Sequence, residues 1–317
     1  MEHILITEPK YYSRKSLGLY KKLGQVCTWD QLKKNKFLAG KITVAIVKIE
    51  YDFNKRMIDR FPNLRIIGTN TTGLNHIDLK DAEKKGIIVA SLRDSSVFLS
   101  GVHATAELTW GLLLSLIRNI SRSFEALKKG KWQRDENVGW ELNNKTLGIL
   151  GYGRLGKQVA SYGKAFGMKV IASDPRVKKS VMKKAGVAPV TMDDLFKKSD
   201  IICCHVLLTD TTKNLIKAKH FRLMKKSAFF INTARGELLD ERALLKGLKN
   251  GWLAGAATDV IRNEYGAKKN LLKNQMVRYA RSHNNLLLVP HLGGATYESW
   301  ETTELFIAQK IKKLLKG

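Results

Sequence analysis

The chain has 317 residues, 44% hydrophobic and 8% aromatic, an ordinary globular composition and long enough for two domains with separate cores. Its formal charge of +28 raises the question of a nucleic-acid, anionic-membrane or polyanionic partner. Three cysteines, Cys27, Cys203 and Cys204, argue against a disulfide framework and for a reducing cytoplasm, and no Cys/His spacing suggests a metal site.

The N-terminus, Met1 to Pro9, lacks a basic region followed by a long apolar one, so no signal peptide is expected. Up to Leu99, short apolar runs alternate with helical stretches: strands are expected at 3–7, 42–47, 64–68 and 87–90, helices at 12–23, 51–60 and 79–85. That alternation predicts a parallel sheet. Residues 104–120 form a long apolar helix with Leu108, Leu112, Leu113, Leu116 and Ile117 mostly at helical spacing. No uninterrupted apolar run approaches a membrane span; the best, 112–117, runs into Arg118, and no membrane partner is expected.

Thr146-Leu147-Gly148-Ile149-Leu150 reads as a buried strand. Gly151-Tyr152-Gly153-Arg154-Leu155-Gly156 follows at once, then a helical run at 157–166. The next apolar run, 169–173, ends at Asp174, eighteen residues past Gly156. Strand, glycine turn, helix, strand and acid in this order form the dinucleotide-binding fingerprint. The glycines allow the tight turn and close approach to a pyrophosphate, the helix N-terminus receives its charge, and the acid accepts from the adenosine ribose. Asp174 favours NAD over NADP, because it repels a 2′-phosphate; Arg176 nearby softens that preference.

A second alternating series follows, with strands at 201–206, 228–231, 253–258 and 286–289. A last helix at 298–315 sets Leu305, Ala308, Ile311 and Leu315 on one face. Lysines recur as scattered pairs, such as Lys21-Lys22, Lys178-Lys179 and Lys312-Lys313, with no aromatic-interleaved patch. The charge therefore reads as a basic solvated surface that concentrates a carboxylate, a phosphate or a dinucleotide, and no specific nucleic-acid partner is expected.

Carbonyl reduction needs a cation to polarise the oxygen, a proton donor, and a group that orients the donor. Arg235 stands just past an expected strand end, where open α/β sheets bind ligands, and a guanidinium can grip a carboxylate with two prongs. His291 lies in Val289-Pro290-His291, again past a strand, and Glu264 follows Asp259-Val260. A carboxylate beside an imidazole favours the protonated ring and fixes its tautomer. Taken singly, each has a plain alternative: a surface arginine, a loop histidine, a glutamate among Arg262, Lys268 and Lys269.

The combination resembles the D-isomer-specific 2-hydroxyacid dehydrogenase family, the group of phosphoglycerate, glycerate and D-lactate dehydrogenases, over nearly the whole chain. The matching segments are Gly148 to Gly156; Leu195-Phe196-Lys197-Lys198-Ser199-Asp200-Ile201-Ile202 through His205, Thr211 and Thr212; and Met224-Lys225 through Asn232 and Arg235-Gly236-Glu237-Leu238-Leu239-Asp240. The resemblance implies two doubly wound α/β domains, an NAD-binding Rossmann domain (100–291) inserted into a flavodoxin-like substrate domain (1–99 with 292–317). It implies that Arg235 binds the substrate carboxylate and carbonyl, that His291 is the acid/base and Glu264 its partner, and that Asp259 holds the nicotinamide amide. Gly151, Gly153, Arg154, Leu155, Gly156 and Asp174 would hold the rest of the dinucleotide. Thr105, His205, Thr233 and Gly294 would line its site. The amides of the Thr72-Gly73-Leu74 segment would hold the substrate carboxylate, with His76 beside it as a structural residue. The implied activity is hydride transfer between NAD and a small D-2-hydroxy acid or 2-keto acid, in a homodimer whose pairing draws on the apolar stretch 104–120. The alternatives are a non-catalytic dinucleotide-sensing regulator on the same fold, of the corepressor type, and a nucleic-acid binder driven by charge.

The chain departs from the family in two motifs. The usual His-x-Pro reads His205-Val206-Leu207, and the usual Glu-Pro reads Glu264-Tyr265. A long basic segment, 265–285, follows, either a helical cover near the active-site mouth or a surface insertion. These departures bear on substrate choice more than on reaction class.

Overall fold

The computed structural model describes residues 1–316 apart from residue 94 and residues 265–267. Its contacts divide the chain into two compact units, Met1–Val102 with Ala295–Gly317, and His103–Gly294. The chain leaves the first unit after 102 against 99 read from the sequence, and returns after 294 against 291. The return is late because the amides of Leu292 and Gly293 bond to the Asp259 carboxylate, which keeps that loop with the second unit.

The first unit is a parallel sheet of β1 (Glu2–Ile6), β2 (Gly24–Thr28), β3 (Val44–Val47), β4 (Ile66–Thr69) and β5 (Ile88–Ala90), in the order β2-β1-β3-β4-β5. This is the doubly wound order of flavodoxin-like sheets. The strand β2 is missing from the sequence-based series: Gly-Gln-Val-Cys-Thr has a glycine and two polar residues, and only pairing along the whole length of β1 extends it. The last helix, Tyr297–Leu314, packs Ile307, Ala308 and Ile311 against Ile4, Ile6, Val44 and Ile46. Its buried face runs through Thr303 and Glu304 to Ile307, not through Leu305.

The second unit holds β6 (Thr146–Leu150), β7 (Lys169–Ser173), β8 (Ala188–Pro189), β9 (Ile201–Cys204), β10 (Phe229–Asn232), β11 (Gly255–Thr258) and β12 (Leu286–Leu288). Their order, β12-β11-β10-β9-β6-β7-β8, is that of the Rossmann sheet with a seventh strand, and all pairings are parallel. The four residues of β9, β10 and β11 are each buried throughout, as expected where helices cover both faces. Two parallel α/β domains are thus present as expected.

The long apolar helix is shorter than the sequence predicts. Ala104–Ile117 ends before Asn119, which adopts left-handed φ 54°, and a separate helix, Ile120–Lys128, follows. Ser96–Ile117 as a whole is long and apolar enough to cross a membrane by length and composition. In the structure it is broken after Leu99, and its second part spends Ala106, Trp110, Leu112, Leu113, Leu116 and Ile117 on the unit's own core. The apolar residues of this helix are therefore spent within the unit, whereas the sequence reading drew homodimer pairing from 104–120. The exposed apolar residues come next, at Ile120, Phe124, Leu127, Trp132, Val138 and Trp140.

The basic segment after Glu264 begins with residues 265–267, outside the described residues. Further on, Gln275–Ala280 is helical and buries Met276 and Tyr279 in the second unit's core, so that part is integrated into the domain.

Candidate functional site

In a parallel sheet every strand delivers its following loop to the same edge, so residues far apart in sequence meet beyond the carboxyl ends of the strands. In the second unit this edge gathers the glycine turn after β6, Asp174 after β7, His205 after β9, Arg235 after β10, Asp259 and Glu264 after β11, and His291 after β12.

The glycine turn is shaped by sterics. Gly151 has φ 93°, and a Cβ there would stand 2.8 Å from the backbone of His205. Gly153 precedes the helix Arg154–Ala165, and the place of its missing Cβ is open. The first helical turn, Arg154 to Gly156, starts from Gly153, an N-cap residue with no side chain to cap it. Asp174 lies against this turn, its Oδ2 accepting from Tyr152 N at 2.8 Å and its Oδ1 from Arg176 N at 2.8 Å. His205 donates its backbone N–H to Leu150 O at 2.8 Å, while both its ring nitrogens are buried with no hydrogen-bond partner among the described residues. Burial, and after it the Arg154 charge, pushes the His205 imidazolium down to about 4, so the ring is neutral at pH 7. An open turn, a helix start and buried unpartnered ring nitrogens fit a dinucleotide.

Three loops hold the catalytic candidates. Asn232, fully buried at the end of β10, donates from Nδ2 to Arg235 O at 3.0 Å and accepts Ala234 N on Oδ1 at 3.0 Å. It thereby shapes the turn that carries Arg235. Gly236 packs so closely that a Cβ would run into the backbone of Ile261 and Arg262. The guanidinium of Arg235 donates to Ala234 O at 2.6 Å and, among the described residues, forms no ion pair.

His291 Nδ1 and Glu264 Oε1 are 2.7 Å apart, with side chains 21% and 19% exposed. Two residues 27 positions apart are thus joined. His291 has left-handed φ 55°, an uncommon conformation outside glycine that costs energy and clusters at functional sites. Its backbone N–H bonds to Asp259 O at 2.8 Å and Val289 O at 3.1 Å. Asp259 also holds the next two residues, accepting Leu292 N at 2.5 Å and Gly293 N at 2.8 Å on separate carboxylate oxygens. Burial pushes the Asp259 carboxyl up to about 6, against the opposing pull of those amides and of His291.

Thr105 Oγ1 donates to Gly293 O at 2.9 Å, while Gly294 is exposed. Thr233, two residues before Arg235, contacts Thr109 hydroxyl to hydroxyl. Thr72, Gly73 and Leu74 belong to the first unit, after β4. There Thr71 Oγ1 donates to Gly73 O at 2.8 Å and meets Thr69 Oγ1 at 3.0 Å, and the buried His76 reaches Thr69 at 3.3 Å. Leu74 turns its side chain into the core, so only its backbone is available to a ligand.

The profile described as D-isomer specific 2-hydroxyacid dehydrogenase, NAD binding domain, matches residues 110–293, more than half of the chain. The chain belongs to the D-isomer specific 2-hydroxyacid dehydrogenase family. It is 36% identical over 320 residues to D-3-phosphoglycerate dehydrogenase of Methanocaldococcus jannaschii, covering 100% of this chain and 58% of that protein. It is 35% identical over 296 residues to glyoxylate reductase of Thermococcus litoralis, covering 90% of this chain and 83% of the reductase. Among solved structures it is similar to D-lactate dehydrogenase of Aquifex aeolicus complexed with NAD and lactic acid. That likeness has a TM-score of 0.83 at 29% identity, over 99% of this chain and 96% of that one. The chain thus spans little more than half of the Methanocaldococcus jannaschii phosphoglycerate dehydrogenase and most of the other two relatives.

The residues to which the sequence gave a role include neither Asn232, named only as the end of a matching segment, nor Thr109. Asn232 was visible as a polar residue closing an apolar strand. Thr109 was visible as a hydroxyl one helical turn after Thr105 inside an apolar helix.

Proposed function

We propose that the chain is an NAD-dependent oxidoreductase acting on a small D-2-hydroxy acid or its 2-keto acid. The observation that carries this reading is the Glu264–His291 contact at the carboxyl edge of a sheet that also bears the glycine turn and Asp174. Bound NAD supplies the hydride acceptor or donor. Arg235 grips the substrate carboxylate and stabilises the oxygen on which negative charge develops. Glu264 engages His291 at Nδ1, which leaves Nε2 to carry the proton to or from that oxygen. The amides of Thr72, Gly73 and Leu74 hold the carboxylate. Gly151, Gly153, Arg154, Leu155, Gly156, Asp174 and His205 receive the dinucleotide, together with Thr105, Thr233, Asp259 and Gly294. The three cysteines are buried free thiols, which suits a reducing cytoplasm.

The functional unit is proposed to be a homodimer. Ile120, Phe124 and Leu127 recur at helical spacing and are 55%, 60% and 53% exposed, and Trp132 and Trp140 stand exposed beyond them in the chain. An apolar row of this kind marks an interface. Light scattering at micromolar concentration should give twice 35.7 kDa; a monomer would overturn the dimer.

The decisive test of activity is a screen of 2-keto acids with NADH, followed by loss of nicotinamide absorbance. Turnover of at least one small 2-keto acid is expected. Tight NADH binding with no turnover across the screen would replace the dehydrogenase by the dinucleotide-sensing regulator.

A further inference from the structure

Thr109 is fully buried in the helix Ala104–Ile117, and its hydroxyl has two oxygen neighbours. One is the Thr105 carbonyl at 2.7 Å; the other is Thr233 Oγ1 at 2.8 Å. A carbonyl cannot donate, so the single Thr109 proton lies toward Thr105 O. The contact with Thr233 then takes its proton from Thr233. By the same count the Thr105 hydroxyl proton is committed to Gly293 O at 2.9 Å. Both Thr105 and Thr233 are left with lone pairs only. Asp259 has its carboxylate bonded to the amides of Leu292 and of Gly293, the residue whose carbonyl Thr105 holds, and it too offers only lone pairs when ionised.

We propose that Thr109 is a positioning residue that sets hydrogen-bond direction in the dinucleotide site. By taking the Thr233 proton it makes Thr233 an acceptor, so this corner prefers a ligand group that donates, such as a carboxamide, over one that only accepts, such as a carboxylate. Through the same hydroxyl it ties two loops to one helical turn: Thr233 leads into Arg235, and Thr105 holds the residue two past His291. The proposal rests on the dehydrogenase reading above only in assigning Thr105 and Thr233 to the cofactor site. Thr109 itself touches neither cofactor nor substrate.

The test compares Thr109→Val, which keeps shape and loses the hydroxyl, with Thr109→Ser, which keeps the hydroxyl and loses a methyl. Dissociation constants for NAD and for nicotinic acid adenine dinucleotide are read from tryptophan fluorescence, beside thermal melting. The wild type should prefer the amide at least tenfold. Thr109→Val should bind NAD about tenfold more weakly and narrow the preference at least threefold, because the freed Thr233 hydroxyl can donate to the acid. Thr109→Ser should keep affinity and preference within threefold while melting lower. If Thr109→Val does not fold, Thr109→Ala set against Thr109→Ser isolates the same hydroxyl. Unchanged binding in the Val or Ala variant, or an equal loss in Ser, would overturn the role of Thr109 alone. A wild type that binds no NAD would overturn the cofactor reading beneath it.

Discussion

In the first unit Glu304 is fully buried and bonded on every side by strong donors: Lys48 Nζ at 2.7 Å, Ser13 N at 2.9 Å and Ser16 Oγ at 2.8 Å. The ammonium of Lys48 also lies over the rings of Tyr12 and Trp300, at 4.2 and 4.6 Å. In the second unit Asp259 is also buried, but its oxygens take two loop amides and, among the described residues, it forms no salt bridge. The first carboxylate, paired with a cation, pins the last helix to the sheet. The second, held only by dipoles, stays easier to protonate and sets the conformation of His291. A buried acid with its own cation is an anchor; one whose only bonded donors are backbone amides is tunable and belongs beside chemistry.

Substitutions in either unit test that contrast. His291→Gln removes the proposed proton carrier and leaves the proposed dinucleotide contacts, so kcat should fall by about 10²–10⁴ with NADH affinity unchanged. Turnover within a few-fold of wild type would remove His291 from the mechanism. Glu304→Ala leaves a buried ammonium without its carboxylate and should cost about 3–5 kcal/mol in denaturant unfolding; a loss under 1 kcal/mol would show that Glu304 is no anchor.

A third expectation concerns pH. Burial raises the Asp259 carboxyl from its ordinary 3.8 to about 6, so the folded protein holds this proton better than the unfolded chain. Stability from this group is complete below about pH 4 and is lost as pH rises to about 6, by on the order of 1–3 kcal/mol. The stability difference between wild type and Asp259→Asn should therefore change across pH 4–6 and level off above; a difference flat with pH would count against it.

The smallest effect is in cofactor choice. NADH should be used at least tenfold more efficiently than NADPH, because a 2′-phosphate meets the Asp174 charge. Asp174→Ala should narrow that gap, although it also removes the acceptor of the Tyr152 and Arg176 amides and so loosens the turn. Equal use of both cofactors by the wild type would refute the role given to Asp174.

Much of the fold was legible because its signals are local. Leu-Gly-Ile-Leu before Gly151 and Val-Ile-Ala before Asp174 declare buried strands by apolar runs alone, and β6 and β7 fall where those runs do. The strands β2 and β8 were not legible: one carries Gly24, Gln25 and Thr28, the other is Ala188 and Pro189, and neither has an apolar run of its own. Pairing with β1 and β7 extends them, and that is a tertiary effect. The break at Asn119 was hidden for a similar reason, since apolar periodicity continues across it to Ile120.

The alternating α/β architecture, the glycine turn with its acid, and a short set of candidate residues for carbonyl chemistry are all legible in the chain alone. Each of these follows from side-chain type and spacing within a few turns of chain. Tertiary contacts alone bring Glu264 to 2.7 Å from His291, give His291 its left-handed backbone, and set one hydroxyl on an apolar helix 2.8 Å from another 124 positions away. Those facts depend on partners brought together by sheet closure, and the direction of a hydrogen bond is settled only when every donor and acceptor around it is in place.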